Sequence, residues 1–301
     1  MQSLLLFGLA LLPGCVGFLY YYRKDELNRE PLRLLAYAFF LGMVAVFPAG
    51  LLEAWIWPEE PRDLTESVMQ AFLVVSPVEE VARLLVILWI TLRTVHFDEV
   101  VDGAVYGAVV AAGFATLENI FYVMEHGFAV GFLRAALSVP MHIFCGVLIG
   151  HGVARYKLSG RPGVFFSLFF LAVFCHGAFD APLLYGDSPG VFIVLPVFVV
   201  LGLAFVSAGI LRSALAADGL RLQELPGRQD SWPARLLRVA FLSLFLLTSV
   251  GGLFMLSGAG LMYKDGDEGS GWALGIGLIL LTLSLLPLLW KRAQDRLTRS
   301  L

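Results

Sequence analysis

Nine stretches of about 20 apolar residues occupy most of this chain, and they restrict it to folds that a lipid bilayer can solvate. They cover residues 3–22, 34–57, 68–92, 100–124, 131–154, 163–184, 191–211, 236–261 and 272–290. Of all residues 58% are hydrophobic and only 15% are charged, whereas a soluble domain carries about 25% charged residues. The sequence therefore predicts an all-α fold, a polytopic transmembrane helix bundle with nine spans.

The charges of the connecting loops predict the orientation of this bundle. Cytoplasmic loops of membrane proteins collect Lys and Arg, and every second predicted loop together holds 17 of the 21 basic residues. The alternate loops hold only Arg62 and Lys264 as basic residues, beside seven acidic ones. We therefore expect the N-terminus outside and the C-terminus inside.

The spans group into four predicted regions. Residues 1–67 would form two N-terminal helices, 68–211 a catalytic core, 212–235 a cytoplasmic linker, and 236–301 two C-terminal helices with a basic tail. The net charge of −3 and the lack of a basic patch predict no nucleic-acid partner. The expected partners are membrane lipid and a membrane protein substrate.

Several ionisable side chains lie inside the predicted spans, where a charge costs at least about 2.5–3.5 kcal/mol and marks a functional candidate. They come from four consecutive spans and lie at compatible depths in the outer half of the bilayer. The candidate catalytic residues are Glu79, Glu80, Glu118, His142, His176 and Asp180, and the supporting residues are Arg83, Asn119 and Arg134. The polar residues expected at interfaces, helix ends or loops are Glu53, Asp102, His151, His96 and His126.

The spacing of these residues predicts local pairs. Glu79 and Arg83 are four residues apart, as are His176 and Asp180, so each pair shares a helix face. Carboxylates and imidazoles in a partly dry pocket can activate water, and an imidazole can stabilise the oxyanion that forms at a carbonyl. Two other interpretations stay open: a buried ion-pair network that fixes helix register, and an ion or proton pathway.

Four ordered motifs resemble a known family. Residues 77–83, with Glu79, Glu80 and Arg83, resemble the EExxK motif of PrsW-type intramembrane proteases, which are related to the CAAX prenyl proteases. The other three matches are 114–119 to FxxxEN, the stretch from Arg134 through His142 to Gly146, and 176–180 to HxxxD. Arg83 stands where the family usually has lysine, and Glu118 stands where CAAX proteases have histidine.

The resemblance implies a function and roles for single residues. It implies a protease of the bacterial inner membrane that cleaves a single-span substrate, for example an anti-sigma factor, near the outer face. Glu79 would then activate water with Glu80 as its partner. His142, His176 and Asp180 would position the water or stabilise the oxyanion.

The residues leave two alternatives to this mechanism. No cofactor is expected, but Glu118, His142 and His176 are acceptable ligands for Zn²⁺, so a zinc metalloprotease is the first alternative. The second is a non-catalytic membrane scaffold or chaperone, in which the polar groups hold a partner helix. A transporter is disfavoured because no inverted repeat or pair of broken helices is visible in the sequence.

Overall fold

A computed structural model describes residues 2–24, 29–185 and 193–218 of the chain. The described residues form eight α-helices and contain no strand. The helices are α1 (Gln2–Lys24), α2 (Leu32–Ile56), α3 (Leu64–Gln70), α4 (Ser76–Arg93), α5 (Val100–Ala136), α6 (Ser138–Ser159), α7 (Pro162–Leu184) and α8 (Val194–Ala217). The described residues 2–24, 29–185 and 195–218 belong to one compact unit.

Five helical stretches within the described residues are long and apolar enough to cross a membrane. They are Leu5–Lys24, Leu32–Ile56, Val100–Ser159, Pro162–Leu184 and Val194–Ala216, and the third contains both α5 and α6. The described part of the chain therefore has the all-helical fold of a membrane protein. The predicted spans 236–261 and 272–290 and most of the predicted linker lie outside the described residues, and the count of nine stays a prediction.

The predicted third span differs in detail from the structure. Its helical path starts at Leu64, and a π-helical segment, Ala71–Val75, joins α3 to α4. The start of α3 is marked by Asp63, whose side chain accepts a hydrogen bond from the backbone of Glu66. Hydrogen bonds from the side chain and backbone of Arg62 lower the pKa of Glu66. A π-helical turn shifts the register of the following helix and is frequent at functional sites.

The predicted boundary between the fourth and fifth spans contains a break in the helix at Gly127, whose φ of 79° and ψ of −159° are not helical. The chain turns back there, and a further helical segment, counted with α5, runs to Ala136 before α6 begins at Ser138. The left-handed φ of Gly127 suits a residue without a Cβ atom. Arg134, expected at the outer end of the fifth span, therefore lies on the last part of α5.

Helix α5 forms the centre of the bundle. All residues from Val100 to Thr116 are buried, and small residues let α6 approach closely. A Cβ atom added to Gly107 would lie 2.0 Å from the carbonyl oxygen of Gly146, and one added to Gly150 would lie 1.9 Å from that of Gly103. Such backbone contact is typical of helices that associate in lipid.

The N-terminus of α5 is held by side chains from two places. The carboxylate of Asp218, just after α8, accepts hydrogen bonds from the backbone N–H groups of Val100 and Val101, both at 2.9 Å. Asp102 and Glu99 add a capping box. These acceptors satisfy N–H groups that a helix start leaves unpaired, so they fix the helix that carries Glu118.

Candidate active site

The polar side chains of four helices meet at one place in the bundle. Helix α4 contributes Glu79, Glu80 and Arg83, α5 contributes Glu118, α6 contributes His142, and α7 contributes His176 and Asp180. We call these seven side chains the polar cluster. Six of the seven are the catalytic residues predicted from the sequence, and the seventh, Arg83, was predicted as a supporting residue.

Arg83 is the hub of the polar cluster. Its side chain is fully buried, and its Nη2 atom lies 2.7 Å from Glu80 Oε1 and 3.4 Å from Glu79 Oε2. The guanidinium also contacts Nδ1 of His142, and it lies 3.1 Å from Nδ1 of His176. One buried cation thus holds two carboxylates and two imidazoles, which a planar guanidinium with five N–H donors is suited to do.

Glu79 differs from Glu80 in what surrounds its carboxylate. Glu80 is sealed, at 0% exposure, by Arg83 and by Nδ1 of His176 at 2.9 Å. The Oε2 atom of Glu79 lies 3.6 Å from His176 Nε2 and 3.9 Å from His142 Nδ1. These separations exceed direct hydrogen bonds, so Glu79 has capacity left to bind a further group.

Carboxylates hold both imidazoles in place. His142 Nε2 lies 2.9 Å from Glu118 Oε2, and His176 Nε2 lies 2.9 Å from Asp180 Oδ2. Because Nδ1 of His142 faces a guanidinium donor, its ring proton belongs on Nε2, toward Glu118. The rings of His142 and His176 meet edge to face, with centroids 4.9 Å apart.

Arg134 fastens Glu118 from the far side of the Gly127 break. Its Nη2 atom lies 2.9 Å from Glu118 Oε1, and its guanidinium stacks over Tyr122 at 3.8 Å. The return of the chain after Gly127 thus brings the last part of α5 back to its middle. Arg134 therefore acts on His142 through Glu118.

Asn119 points away from the polar cluster. Its Nδ2 atom donates to the carbonyl oxygen of Ala10 in α1 at 3.1 Å, and the side chain is fully buried. Consecutive residues of a helix do not share a face, so Asn119 supports the packing of α1 on α5 while Glu118 faces His142.

Glu53 lies closer to the polar cluster than the sequence indicates. It was expected at the membrane interface, yet its Oε1 atom is buried and has no hydrogen-bond partner among the described residues. It interacts electrostatically with Glu118, His176 and Asp180. Its nearness to the polar cluster could have been inferred from its position near the outer end of the second predicted span, because the other carboxylates lie at similar depth.

The fold and the polar cluster define a class: a polytopic membrane protein with a glutamate–histidine centre buried between its helices. The family model for the PrsW family intramembrane metalloprotease matches residues 30–208. The chain belongs to this family, and it is a peptidase. No solved structure matches the chain.

Curated relatives agree with the family. A protein named Protease PrsW from Bacillus subtilis (strain 168) is 34% identical over 192 residues, which are 63% of this chain and 87% of the relative. Protease PrsW from Geobacillus kaustophilus (strain HTA426) is 34% identical over 197 residues, 65% of this chain and 86% of the relative. A third, from Oceanobacillus iheyensis (strain DSM 14371 / CIP 107618 / JCM 11309 / KCTC 3954 / HTE831), is 30% identical over 203 residues, 67% of this chain and 92% of the relative.

The family description names a metal, and residues of the polar cluster fit one. Glu79, His142 and His176 each present one ligand atom, and these three atoms lie within 4.8 Å of one another. One nitrogen of each ring lies 2.9 Å from a carboxylate, Glu118 for His142 and Glu80 for His176, an arrangement typical of metal-binding histidines. The ring nitrogens that face Glu79 also contact Arg83, in His142, and Asp180, in His176. This candidate ligand set contains Glu79, whereas the zinc ligands predicted from the sequence included Glu118 instead. The prediction that the protein has no cofactor stays unconfirmed.

The charge of the site is also compatible with a divalent cation. Glu79, Glu80, Glu118 and Asp180 face only two cations, Arg83 and Arg134, within the part of the chain that the structure describes. Counted without Glu53 and with neutral imidazoles, these six side chains carry a formal charge of −2, which a divalent ion would balance. Buried charges that are left unbalanced are costly.

Proposed function

We propose that this chain is an intramembrane endopeptidase that hydrolyses a peptide bond of a membrane-bound protein, with Glu79 as the base that activates water. The observation that carries the proposal is the position of Glu79, whose Oε2 atom faces one nitrogen of each imidazole at 3.6 and 3.9 Å. A water molecule between these groups would be within reach of a general base and of a carbonyl placed beside it.

The remaining residues of the polar cluster have separate roles in this proposal. Glu79 takes the proton of the attacking water and returns it to the amine that leaves. His176, oriented by Asp180 at 2.9 Å, and the charge of Arg83 stabilise the oxyanion of the tetrahedral intermediate. Glu80 neutralises Arg83, and Glu118 holds the ring of His142.

A metal-dependent form of the same reaction is the second candidate, favoured by the set of Glu79, His142 and His176. A bound divalent metal would supply an activated water and a polarised carbonyl. Metal analysis of the purified protein with a chelator challenge separates the two forms. Stoichiometric zinc and loss of cleavage with the chelator would support the metalloprotease. A protein without zinc whose cleavage survives the chelator would support the glutamate mechanism without a metal.

The setting of the reaction is part of the proposal. Nine spans with the N-terminus outside would place the cluster in the outer half of the bacterial inner membrane, within a catalytic core of residues 68–211. The substrate would then be a single-span protein cut near the outer face, for example an anti-sigma factor. The concentration of basic residues in every second predicted loop supports this orientation.

The test compares membrane-protein fragments in cells that carry the wild type, Glu79→Gln or Glu125→Gln. Glu125 is an exposed glutamate on α5, outside the polar cluster, so its replacement controls for the loss of one carboxylate. We expect the fragments of one substrate to disappear only with Glu79→Gln, while all three proteins reach the membrane equally. Unchanged fragments together with altered complexes would support the scaffold function instead.

A further inference from the structure

A basic cavity lies far from the polar cluster, where the start of α2 meets the end of α4. Its volume is about 480 Å³, and its lining includes Arg33, Tyr37, Arg93 and His96. Arg93 lies 14 residues after Glu79, roughly 20 Å along the helical path. This cavity, which we call the Arg33–Arg93 cavity, is therefore separate from the proposed hydrolytic site.

The cations of this cavity have no anionic partner among the described residues. No described carboxylate lies within ion-pair distance of Arg33 or Arg93, although ion pairs form elsewhere in the same part of the chain. The first turn of α2 adds positive potential, because it contains no acidic residue and no side chain caps it. An anion entering the cavity would meet two guanidiniums and the positive end of a helix.

Arg93 is held in place for such a contact. Its guanidinium stacks on the ring of Trp89 at 3.5 Å, and Trp89 lies one turn before it on α4. Stacking leaves the N–H groups at the edge of the guanidinium free to donate to oxygen atoms. A planar guanidinium in this state suits a phosphate, which it can bind through two hydrogen bonds.

The surface beside the arginines is apolar and exposed. Leu92 is 81% exposed and Val95 is 88% exposed, next to Trp89 and Tyr37, which are each 46% exposed. The arginines at the helix ends suit the headgroup of a phospholipid, and the apolar side chains farther along the helices suit its acyl chains. A free phosphate ion would make no contact with the apolar side chains.

We propose that the Arg33–Arg93 cavity binds the phosphate headgroup of an anionic phospholipid, with its acyl chains along Trp89 and Leu92. In the proposed orientation the cavity lies on the cytoplasmic side, where basic cavities between transmembrane helices commonly bind such headgroups. A lipid bound there would link the start of α2 to the end of α4. The proposal does not depend on the proposed peptidase mechanism.

Native mass spectrometry of the full-length protein, released from detergent micelles, tests this inference. The protein is titrated with phosphatidylglycerol and, separately, with phosphatidylcholine. We expect preferential retention of phosphatidylglycerol by the wild type. Arg33→Gln/Arg93→Gln should lower its affinity about 30-fold, since the loss of each contact between a guanidinium and the bound phosphate should cost about a factor of five.

Two further variants guard the interpretation. Arg33→Lys/Arg93→Lys keeps both charges and should retain affinity within about fivefold. Arg155→Gln/Arg161→Gln removes two basic residues at the end of α6 and the start of α7 and should leave the affinity unchanged. Equal retention by the wild type and the Arg33→Gln/Arg93→Gln protein would overturn the proposal, and so would equal losses in the two Gln pairs.

A competition with inorganic phosphate distinguishes the source of the anion. Excess inorganic phosphate should leave phosphatidylglycerol bound, because it cannot replace the acyl contacts. Full displacement by phosphate alone would show a site for a free anion and would contradict the lipid proposal.

Discussion

Replacing Gly146 by alanine should separate α5 from α6 and weaken the polar cluster without altering any polar side chain. A Cβ atom at Gly146 would lie 2.3 Å from the carbonyl oxygen of Gly107 and 2.5 Å from the Cβ atom of Ala111. Ordinary contact begins at 3.4 Å, so the two helices must move apart by about 1 Å at this level. The obstacle is partly backbone, which cannot rotate away as a flexible side chain can.

The displacement reaches the site because Gly146 lies one turn after His142. The 2.9 Å contact between His142 and Glu118, which joins the same two helices, would lengthen to about 4 Å and cease to be a hydrogen-bond distance. A misplacement of about 1 Å in catalytic geometry costs on the order of 100-fold in rate. We expect a similar loss of cleavage, with a destabilisation of about 1–3 kcal/mol from overpacking.

The assay is the release of Glu79-dependent fragments, measured beside thermal unfolding in detergent. The matched control is Gly202→Ala on α8, where an added Cβ atom would meet nothing within 4 Å. The control should retain full activity and gain slightly in stability, because alanine favours helix over glycine. Cleavage by the Gly146→Ala protein within twofold of wild type would refute the link between helix spacing and catalysis.

Three further predictions concern residues around the polar cluster. Arg134→Met should lower cleavage at least about tenfold, because Glu118 loses its cation, while Arg134→Lys should recover part of the activity; equal losses in both would argue against a charge effect. Asn119→Ala should lower stability by about 1 kcal/mol and leave the rate within about threefold, and a catalytic defect without unfolding would contradict its packing role. Asp218→Ala should destabilise the protein by about 1–2 kcal/mol, because two N–H groups of α5 lose their acceptor. Asp218→Asn should cost less. An unchanged melting temperature for both variants would rule out the cap.

The proximity of several site residues could be predicted from helix geometry. Glu79 and Arg83 share a face because they are four residues apart, and the salt bridge between them follows from that spacing. His176 and Asp180 are related in the same way. The membrane character followed from the apolar stretches, and the family followed from four ordered motifs.

Other features depend on tertiary structure that the sequence pattern does not carry. The position of Arg134 depends on the backbone of Gly127, whose left-handed φ breaks the helix and turns the chain back toward Glu118. The burial of the Glu53 Oε1 atom depends on how α2 packs against its neighbours, since the same sequence position also suits the membrane interface. The contact of Asn119 with Ala10 depends on where α1 packs, although Asn119 adjoins Glu118 in the motif.

The rate of cleavage by purified protein in liposomes tests the central claim most directly. It is measured for wild type, Glu79→Gln and Glu125→Gln on the substrate that the fragment comparison identifies. If Glu79 is the base that activates water, Glu79→Gln should lower the rate by a factor of about 100–10,000, while Glu125→Gln should match wild type. A correctly folded Glu79→Gln protein that cleaves at the wild-type rate would contradict the account.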